Sequence, residues 1–447
     1  MTRVAVVGGG LAGIAAALEC ADRGASVTLL EARRWLGGAT FSIERDGLLL
    51  DNGQHVFLRC CTAYRALLAR LGVEHLTHLQ DRLDVPVLAP GGVAGRLRRN
   101  GLPAPFQLGA ALVRYPHLSL GDKARALRAV AALRRLRLGS PRLDEETFGA
   151  WLARHGQRDS AVLGLWDVIT LPTVNLPAAE ASLALAGMVF RTGLLDASDA
   201  ADVGYATVPL QRLHGDAAAR ALAASGVTTR LGVRVTTIVP AEDGVTVAWK
   251  TGSVTADACV VAVPHDVVGE LLPERTLPEG IEPRRLGFSP IVNLHVAYDR
   301  RVTDLPFAAG VRSPVQWVFD RTAPSGLTDG LLLALSLSGA TAYASRSQEE
   351  LREEFVAALE ELFPAARSAR VVSFYVTREP RATFRGVPGS GRHRAPTETR
   401  HPRIALAGAW TDTGWPATME GAVRSGLAAA DAVLRRLAGS VGEELAA

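Results

Sequence analysis

The chain has 447 residues, 48% of them hydrophobic and 21% charged, which describes a folded globular protein too long for one ordinary domain. Its 49 basic and 45 acidic side chains leave a formal charge of +4, which gives no reason to expect nucleic acid as a partner. The four cysteines, Cys20, Cys60, Cys61 and Cys259, form no CxxC pair, which argues against a metal site and for a reducing, cytoplasmic setting without disulfides.

A first strand is predicted at Arg3–Val7, an apolar run that ends at Gly8 and has no signal-peptide pattern before it. A helix rich in Ala, Leu and Ile follows over Leu11–Arg23 and stops at Gly24, and a second strand over Ser26–Leu30 ends at Glu31. That order makes a compact unit with parallel strands. Ser119 and Asp122 fit a capping box before a helix closed by Gly139 and Pro141. This stretch carries Lys123, Arg125, Arg128, Arg134, Arg135 and Arg137, either a solvated helix face or one that docks on a membrane or a partner. Another helix is predicted over Glu145–Arg154. From Leu163 to Leu195 the chain is strongly apolar and broken by Pro172, Asn175 and Pro177, which suits a lipid- or substrate-facing wall or a buried core equally. A helix over Leu213–Ser225 leads into strands at Thr228–Arg230, Arg234–Val239, Gly244–Trp249 and Ala256–Val263. Strands of a second sheet are predicted at Pro290–Tyr298, Val315–Phe319, Leu331–Ser338 and Arg370–Val376, with a helix over Glu349–Phe363. A short strand at Arg403–Leu406, a turn at Gly408 and a helix over Met419–Leu437 follow. No apolar run reaches the roughly 18 residues a spanning helix needs.

Gly8, Gly10 and Gly13 form a GxGxxG pattern between that first strand and helix. Gly8 permits a tight turn, Gly10 lets backbone approach a pyrophosphate, and Gly13 lets helix and strand pack closely. Leu11, Ala12 and Gly13 then present helix-start amides to the phosphates. Glu31, 18 residues after Gly13, is placed to accept both ribose hydroxyls of an adenosine and to repel a phosphorylated ribose.

The stretch Glu31-Ala32-Arg33 through Gly37-Gly38 resembles the extension found in the FAD-containing amine oxidase and phytoene desaturase superfamily. Ala407-Gly408-Ala409-Trp410, with Pro416, Glu420-Gly421-Ala422 and Ser425-Gly426, resembles that superfamily's second flavin motif. The resemblance implies an FAD site built from both ends of the chain, with the final helix, from Thr418 and Met419 onward, aimed at the flavin. It also implies that Val235 pairs through its backbone with the adenine. Two positions depart from the pattern: Ala409 stands where an acid is usual, with Asp412 as a nearby substitute, and Ala39 stands where many relatives have Arg.

Asp51-Asn52-Gly53-Gln54-His55, Ala382-Thr383-Phe384 and the run Thr413 to Ala422 resemble the squalene-associated, FAD-dependent hydroxysqualene dehydroxylases of bacterial hopanoid pathways, over essentially the whole length. Trp415 replaces an expected Leu and Met419 an expected Ile. The implied reaction is reductive loss of a hydroxyl from a C30 isoprenoid alcohol, with reduced FAD giving hydride to an allylic cation. Such a site needs an apolar tunnel and a proton donor, but no metal. His55 is the candidate donor, and the alternative is that Gln54 and His55 only hydrogen-bond the isoalloxazine edge or backbone. Asp51 is expected to cap the turn. Tyr205 and Tyr375 are further candidate donors, and Arg378, Glu379 and Arg381 read as a surface ion-pair network. Trp166, Asn175, Phe190, Phe288 and Trp317 line a cavity or pack in the core.

The expected fold is α/β (α+β two-domain): a Rossmann-like FAD-binding domain from residues 1–60, 205–285 and 385–447, interleaved with a mixed-sheet and helical substrate domain from 61–204 and 286–384. Rival readings are a carotenoid or phytoene-type desaturase, an amine oxidase, and a non-redox prenyl-lipid escort protein of the same architecture. The expected partners are the isoprenoid alcohol and an electron donor the sequence does not identify. The expected place is the cytoplasm, including peripheral contact with the inner face of the membrane.

Overall fold

The protein is described by a computed structural model that covers residues 1–241 and 243–444, with side chains of the final helix described to residue 438. Its first sheet is parallel and five-stranded, in the order Thr228–Leu231, Ser26–Glu31, Arg3–Val7, Ala258–Val261, Ile404–Leu406. Strands from the beginning, middle and end of the chain therefore lie side by side. The inner strands Arg3–Val7 and Ala258–Val261 are almost wholly apolar because both faces are covered, while the edge strand Thr228–Leu231 is polar and largely exposed. Val4, Val6, Val27, Leu29 and Val260 face the helices Leu11–Asp22 and Met419–Glu444. Ala5, Val7, Leu30, Cys259 and Val261 face a three-stranded antiparallel sheet through Val235, Ile238, Val245 and Val247. The two covering helices touch at a glycine: a Cβ on Gly426 would lie 2.1 Å from the carbonyl oxygen of Ala12.

The second large sheet has seven strands, in the order Val371–Thr383, Ser289–Tyr298, Leu331–Leu337, Trp317–Asp320, Phe307–Gly310, Asp84–Ala89, Val93–Arg98. Alternation along Ser289–Tyr298 divides its work. Val292, Leu294 and Val296 pack against Leu351, Phe355 and Leu359 of the helix Gln348–Leu362. Asn293 and His295 point to the opposite face, toward the Asp51–Asn52 turn. The predicted strand at Arg370–Val376 extends to Thr383 because it pairs along the whole of Ser289–Tyr298. The strand predicted at Ala256–Val263 runs over Ala258–Val261, and Ala256 instead ends a separate strand, Gly252–Ala256, that pairs with Gly244–Trp249. The architecture is thus two-domain α/β with mixed sheets.

Between Val93–Arg98 and Val203–Ala206 lies a helical module. The basic helix runs over Leu120–Leu133, and Ser119 Oγ accepts from the Asp122 amide at 3.1 Å. The expected capping box is incomplete, since the Asp122 carboxylate accepts from the Ser119 hydroxyl instead of the Ser119 amide. The helix predicted from Glu145 begins at Phe148, where Thr147 Oγ accepts from the Ala150 amide. Within Leu163–Leu195 the structure favours the core reading: Trp166 and Phe190 pack with Phe148, and Trp166 Nε1 donates to Gln157 Oε1 at 2.9 Å. Asn175 ends a helix in the left-handed region, φ 58°, and bonds Ser289 O, Thr383 Oγ1 and the Gly339 amide. Among the described residues no helix is long and apolar enough to cross a membrane.

Candidate active site

The glycine turn sits where the first strand hands over to the first helix. A Cβ on Gly8 would lie 2.2 Å from Ala262 O, and one on Gly13 would lie 1.8 Å from Gly8 O, so both glycines let backbone pack on backbone. Gly10 has a different role: its missing Cβ would meet only Gly38 Cα, at 3.7 Å. Gly37 N donates to Gly9 O at 2.9 Å, which lays Gly37–Gly38 beside Gly9–Gly10 as a trough made of backbone alone. No side chain caps the helix start at Leu11, and no acid sits in its first turn, an arrangement that suits an anion at the helix start.

Glu31 is buried at the end of the second strand. Its Oε2 accepts from Gly9 N at 2.6 Å and its Oε1 from Arg33 N at 2.7 Å. Exposed Ala32 follows. The segment carrying Val235 docks alongside, with Val233 N donating to Glu31 O and Gly232 N to Arg33 O, both at 2.8 Å. Arg33 Nη1 braces the trough through Gly38 O at 2.8 Å.

The C-terminal motif reaches the same sheet. Gly408 N donates to Ser425 Oγ at 2.7 Å, and Thr418 Oγ1 accepts from Gly421 N at 3.1 Å, which caps the final helix ahead of Met419. Glu420, in that first turn, is buried and accepts from the amides of Ala63 and Tyr64, which start the helix Thr62–Arg70. Buried Arg394 donates to the carbonyls of Trp410, Thr411 and Trp415, and burial pushes it down to about 10. Asp412 is exposed, and its charge acts on Arg394.

Asp51 is not a simple turn cap. It is a buried anion held by Arg321, with Oδ2 at 2.6 Å from Nη2, while Oδ1 accepts from Ser42 Oγ and the Leu210 amide. The same guanidinium bonds the carbonyls of Ala206 and Val208. Asn52 follows, donating to Ala39 O at 2.9 Å and to Glu379 Oε1 at 3.2 Å. Gln54 and His55 line a small cavity with Tyr205, Leu210 and Phe319. Burial pushes the His55 imidazole down to about 4, with Asp51 pulling weakly the other way. His214 and His295 stand behind this turn, pushed down by burial to about 3 and about 4. His214 Nε2 shares a 2.8 Å hydrogen bond with Tyr64 OH.

Four buried polar atoms around this turn have no protein partner: Gln54 Nε2, Asn293 Oδ1, His214 Nδ1 and His295 Nε2. Buried polar atoms are nearly always hydrogen-bonded, so this concentration fits a turn built against the polar edge of a large ligand. Together with the backbone trough and Glu31, the residues present fit an adenine dinucleotide extended by a flavin.

The sequence reads Glu379 with Arg378 and Arg381 as a surface network, and the structure separates the three. Arg378 turns away to the carbonyls of Ala344 and Arg346, and Arg381 pairs with Asp266. Glu379 faces Asn52, partly buried, and desolvation raises its pKa. Alternation along Val371–Thr383 carries that signal, since Thr377 and Glu379 share the face that meets Asn52. Of the two tyrosines, Tyr205 borders the cavity while Tyr375 OH donates to Asp46 Oδ2 at 2.8 Å. Phe288 packs on His265, and Trp317 on Phe319 with its Nε1 donating to Val168 O.

The chain matches the family of flavin containing amine oxidoreductases over residues 11–434 and belongs to it; it is an FAD-dependent oxidoreductase. Within that family it is 30% identical to the hydroxysqualene dehydroxylase of Rhodopseudomonas palustris, over 96% of this chain and 98% of that protein. It is 26% identical to the zeta-carotene desaturase of a Synechocystis species, over 97% of each chain. Among solved structures it resembles the cyclohexylamine oxidase of Brevibacterium oxydans, with a TM-score of 0.73 and 22% identity over 98% of this chain and 99% of that one.

Proposed function

We propose that this protein reductively dehydroxylates hydroxysqualene to squalene. The observation that carries the reading is likeness along the full length to a hydroxysqualene dehydroxylase, coupled to a site whose one cavity-lining imidazole is held neutral. The carbon–oxygen bond breaks with uptake of a proton, water leaves, and a hydride closes the new carbon–hydrogen bond. FAD, bound and reduced, would supply that hydride. Gly8, Gly10, Leu11, Ala12, Gly13, Glu31, Ala32, Gly37, Gly38 and Val235 are proposed to hold its adenosine diphosphate half, and Gln54, Gly408, Thr418 and Met419 its flavin half. Residues 1–60, 205–285 and 385–447 are proposed as the cofactor domain, and 61–204 and 286–384 as the substrate domain.

His55 is the proposed proton donor. An imidazolium with a pKa near 4 is a stronger acid than an ordinary one, which suits protonation of a weakly basic alcohol oxygen. Glu379 also faces this turn, accepting from Asn52, and retains its proton to higher pH than an ordinary glutamate. Leu210 and Phe319 give the small cavity beside His55 part of its apolar surface.

The test is anaerobic reduction of the purified flavoprotein, addition of hydroxysqualene, and product analysis. Squalene formed with flavin reoxidation supports the reading, and the absence of both overturns it. Likeness to a zeta-carotene desaturase favours a second reading, in which hydride passes from lipid to oxidised flavin. Bleaching of the oxidised flavin by a carotene, without any response to hydroxysqualene, would select it.

A further inference from the structure

The small net charge of the chain hides a strong asymmetry. Residues 85–143 hold eleven Arg and Lys side chains and one acid, Asp122, a balance of +10 in a chain whose total is +4. That acid is buried and paired with Arg125, so it does not offset the surface. Arg96 and Arg98 share Asp84 and Arg99 is held by the buried Asp202, while Arg82 and Arg114 have no ion-pair partner among the described residues. Arg82, Arg96, Arg98, Arg99 and Arg114 border a groove of about 670 Å³ between the strand Val93–Arg98 and the helix Gly109–Arg114.

The same region presents apolar side chains to solvent. Seven large apolar side chains are more than half exposed among the described residues, and five lie between Leu102 and Leu127: Leu102, Phe106, Val113, Leu120 and Leu127. On the helix Leu120–Leu133 the buried side is Asp122, Ala126, Ala129 and Leu133. Its exposed side is Leu120, Ala124, Leu127 and Ala131, spaced so that they form one stripe, with Arg128 beside it. Lys123 Nζ donates to Val113 O at 2.7 Å and fastens this helix to the preceding one, so Val113 and Leu120 belong to one surface. An outward apolar stripe rimmed by cations is the pattern of an element lying in a membrane interface.

We propose that this face, from the Arg82–Arg114 groove to the Leu120–Leu127 stripe, docks the protein on an anionic phospholipid surface. Arg82 and Arg114, the groove arginines without an ion-pair partner among the described residues, take lipid phosphates, and Phe106, Val113, Leu120 and Leu127 enter the acyl boundary. The charge argues for anionic lipid over a neutral one, and leucines at the tip of the face argue against a nucleic acid, which offers them no apolar partner. The inference stands whichever isoprenoid the site turns over, so its failure leaves the proposed reaction untouched.

Flotation of the full-length holoprotein tests it, with vesicles of equimolar phosphatidylglycerol and phosphatidylcholine against phosphatidylcholine alone. The wild type should float with the anionic vesicles and release as salt is raised. Arg114→Glu with Arg128→Glu should lower partitioning by about fivefold per charge removed. Leu120→Ser with Leu127→Ser should lower it by about tenfold per leucine. An unchanged flavin spectrum and melting temperature show that these exposed changes leave the fold intact. Equal binding to both vesicle types, or equal binding of wild type and variants, overturns the proposal. So does conversion of a dimer to a monomer by the leucine changes with no effect on flotation, which would make the face a contact between copies.

Discussion

Three fully enclosed histidines make the stability of this protein depend on pH in a calculable way. His214, His265 and His295 are 0%, 4% and 1% exposed, and burial pushes them down to about 3, 4 and 4. An unfolded histidine titrates near 6.5, so the unfolded chain binds more protons than the folded one between the two values. Their contribution is therefore fully present above about pH 6.5 and is lost as pH falls toward 4. At 1.36 kcal/mol per pKa unit, acidification from pH 7 to about 4.5 costs about 2 kcal/mol per ring, on the order of 6 kcal/mol together. Asp167 works in the opposite sense, because burial raises its carboxyl to about 6, and it offsets about 2 kcal/mol of that loss. The fall of about 4 kcal/mol from these four groups is a large part of the stability of an ordinary protein. The assay is the urea midpoint of the holoprotein across this pH range, for wild type and His214→Gln. Glutamine can still bond the Tyr64 hydroxyl but does not titrate. The difference between the two proteins should shrink by about 2 kcal/mol between pH 7 and 4.5. A difference independent of pH would refute the argument that His214 is held neutral.

The Asp51–Arg321 pair predicts a strong energetic coupling: Arg321→Met should destabilise by about 3–5 kcal/mol by stranding a buried carboxylate, and Asp51→Asn added to it should recover part of the loss. Additive effects in thermal melts of the two single variants and the double would count against it. Gly13→Ala should give protein without flavin absorbance, because its Cβ has only 1.8 Å to Gly8 O, whereas Gly101→Ala meets nothing within 4 Å and should bind flavin normally. If His55 donates the proton, turnover should rise about tenfold per unit as pH is lowered from 7 toward 5, and His55→Phe should abolish it with flavin still bound. A profile unchanged by His55→Phe but lost in Glu379→Gln would move the role to Glu379.

The parts of the fold that were legible from the sequence are those fixed by near neighbours. Strand, glycine turn, helix and strand over residues 3–31 are readable because period, turn glycines and terminators lie within a few residues of one another. The Asp51–Arg321 pair is a different case: its members are 270 positions apart and come together only when two sheets dock. Glu379 had a readable signal in strand alternation that proximity to Arg378 and Arg381 obscured. The apolar stretch after Leu163 resisted period counting for a physical reason. The backbone there widens into π-helical turns at Val162–Trp166 and Arg191–Leu195, which shift the face each following side chain presents.

The Ala12–Gly426 contact has a consequence for biosynthesis. The first helix is made early, but the helix it must lie against is drawn from the far end of the chain. Throughout translation the glycine turn and the apolar side of that first helix wait without their partner, exposed to misassociation or to a chaperone. A chain stopped before residue 419 would have the strand and turn proposed to hold the cofactor but no closing helix. Flavin bound to the purified protein would therefore report on the integrity of the whole translated chain.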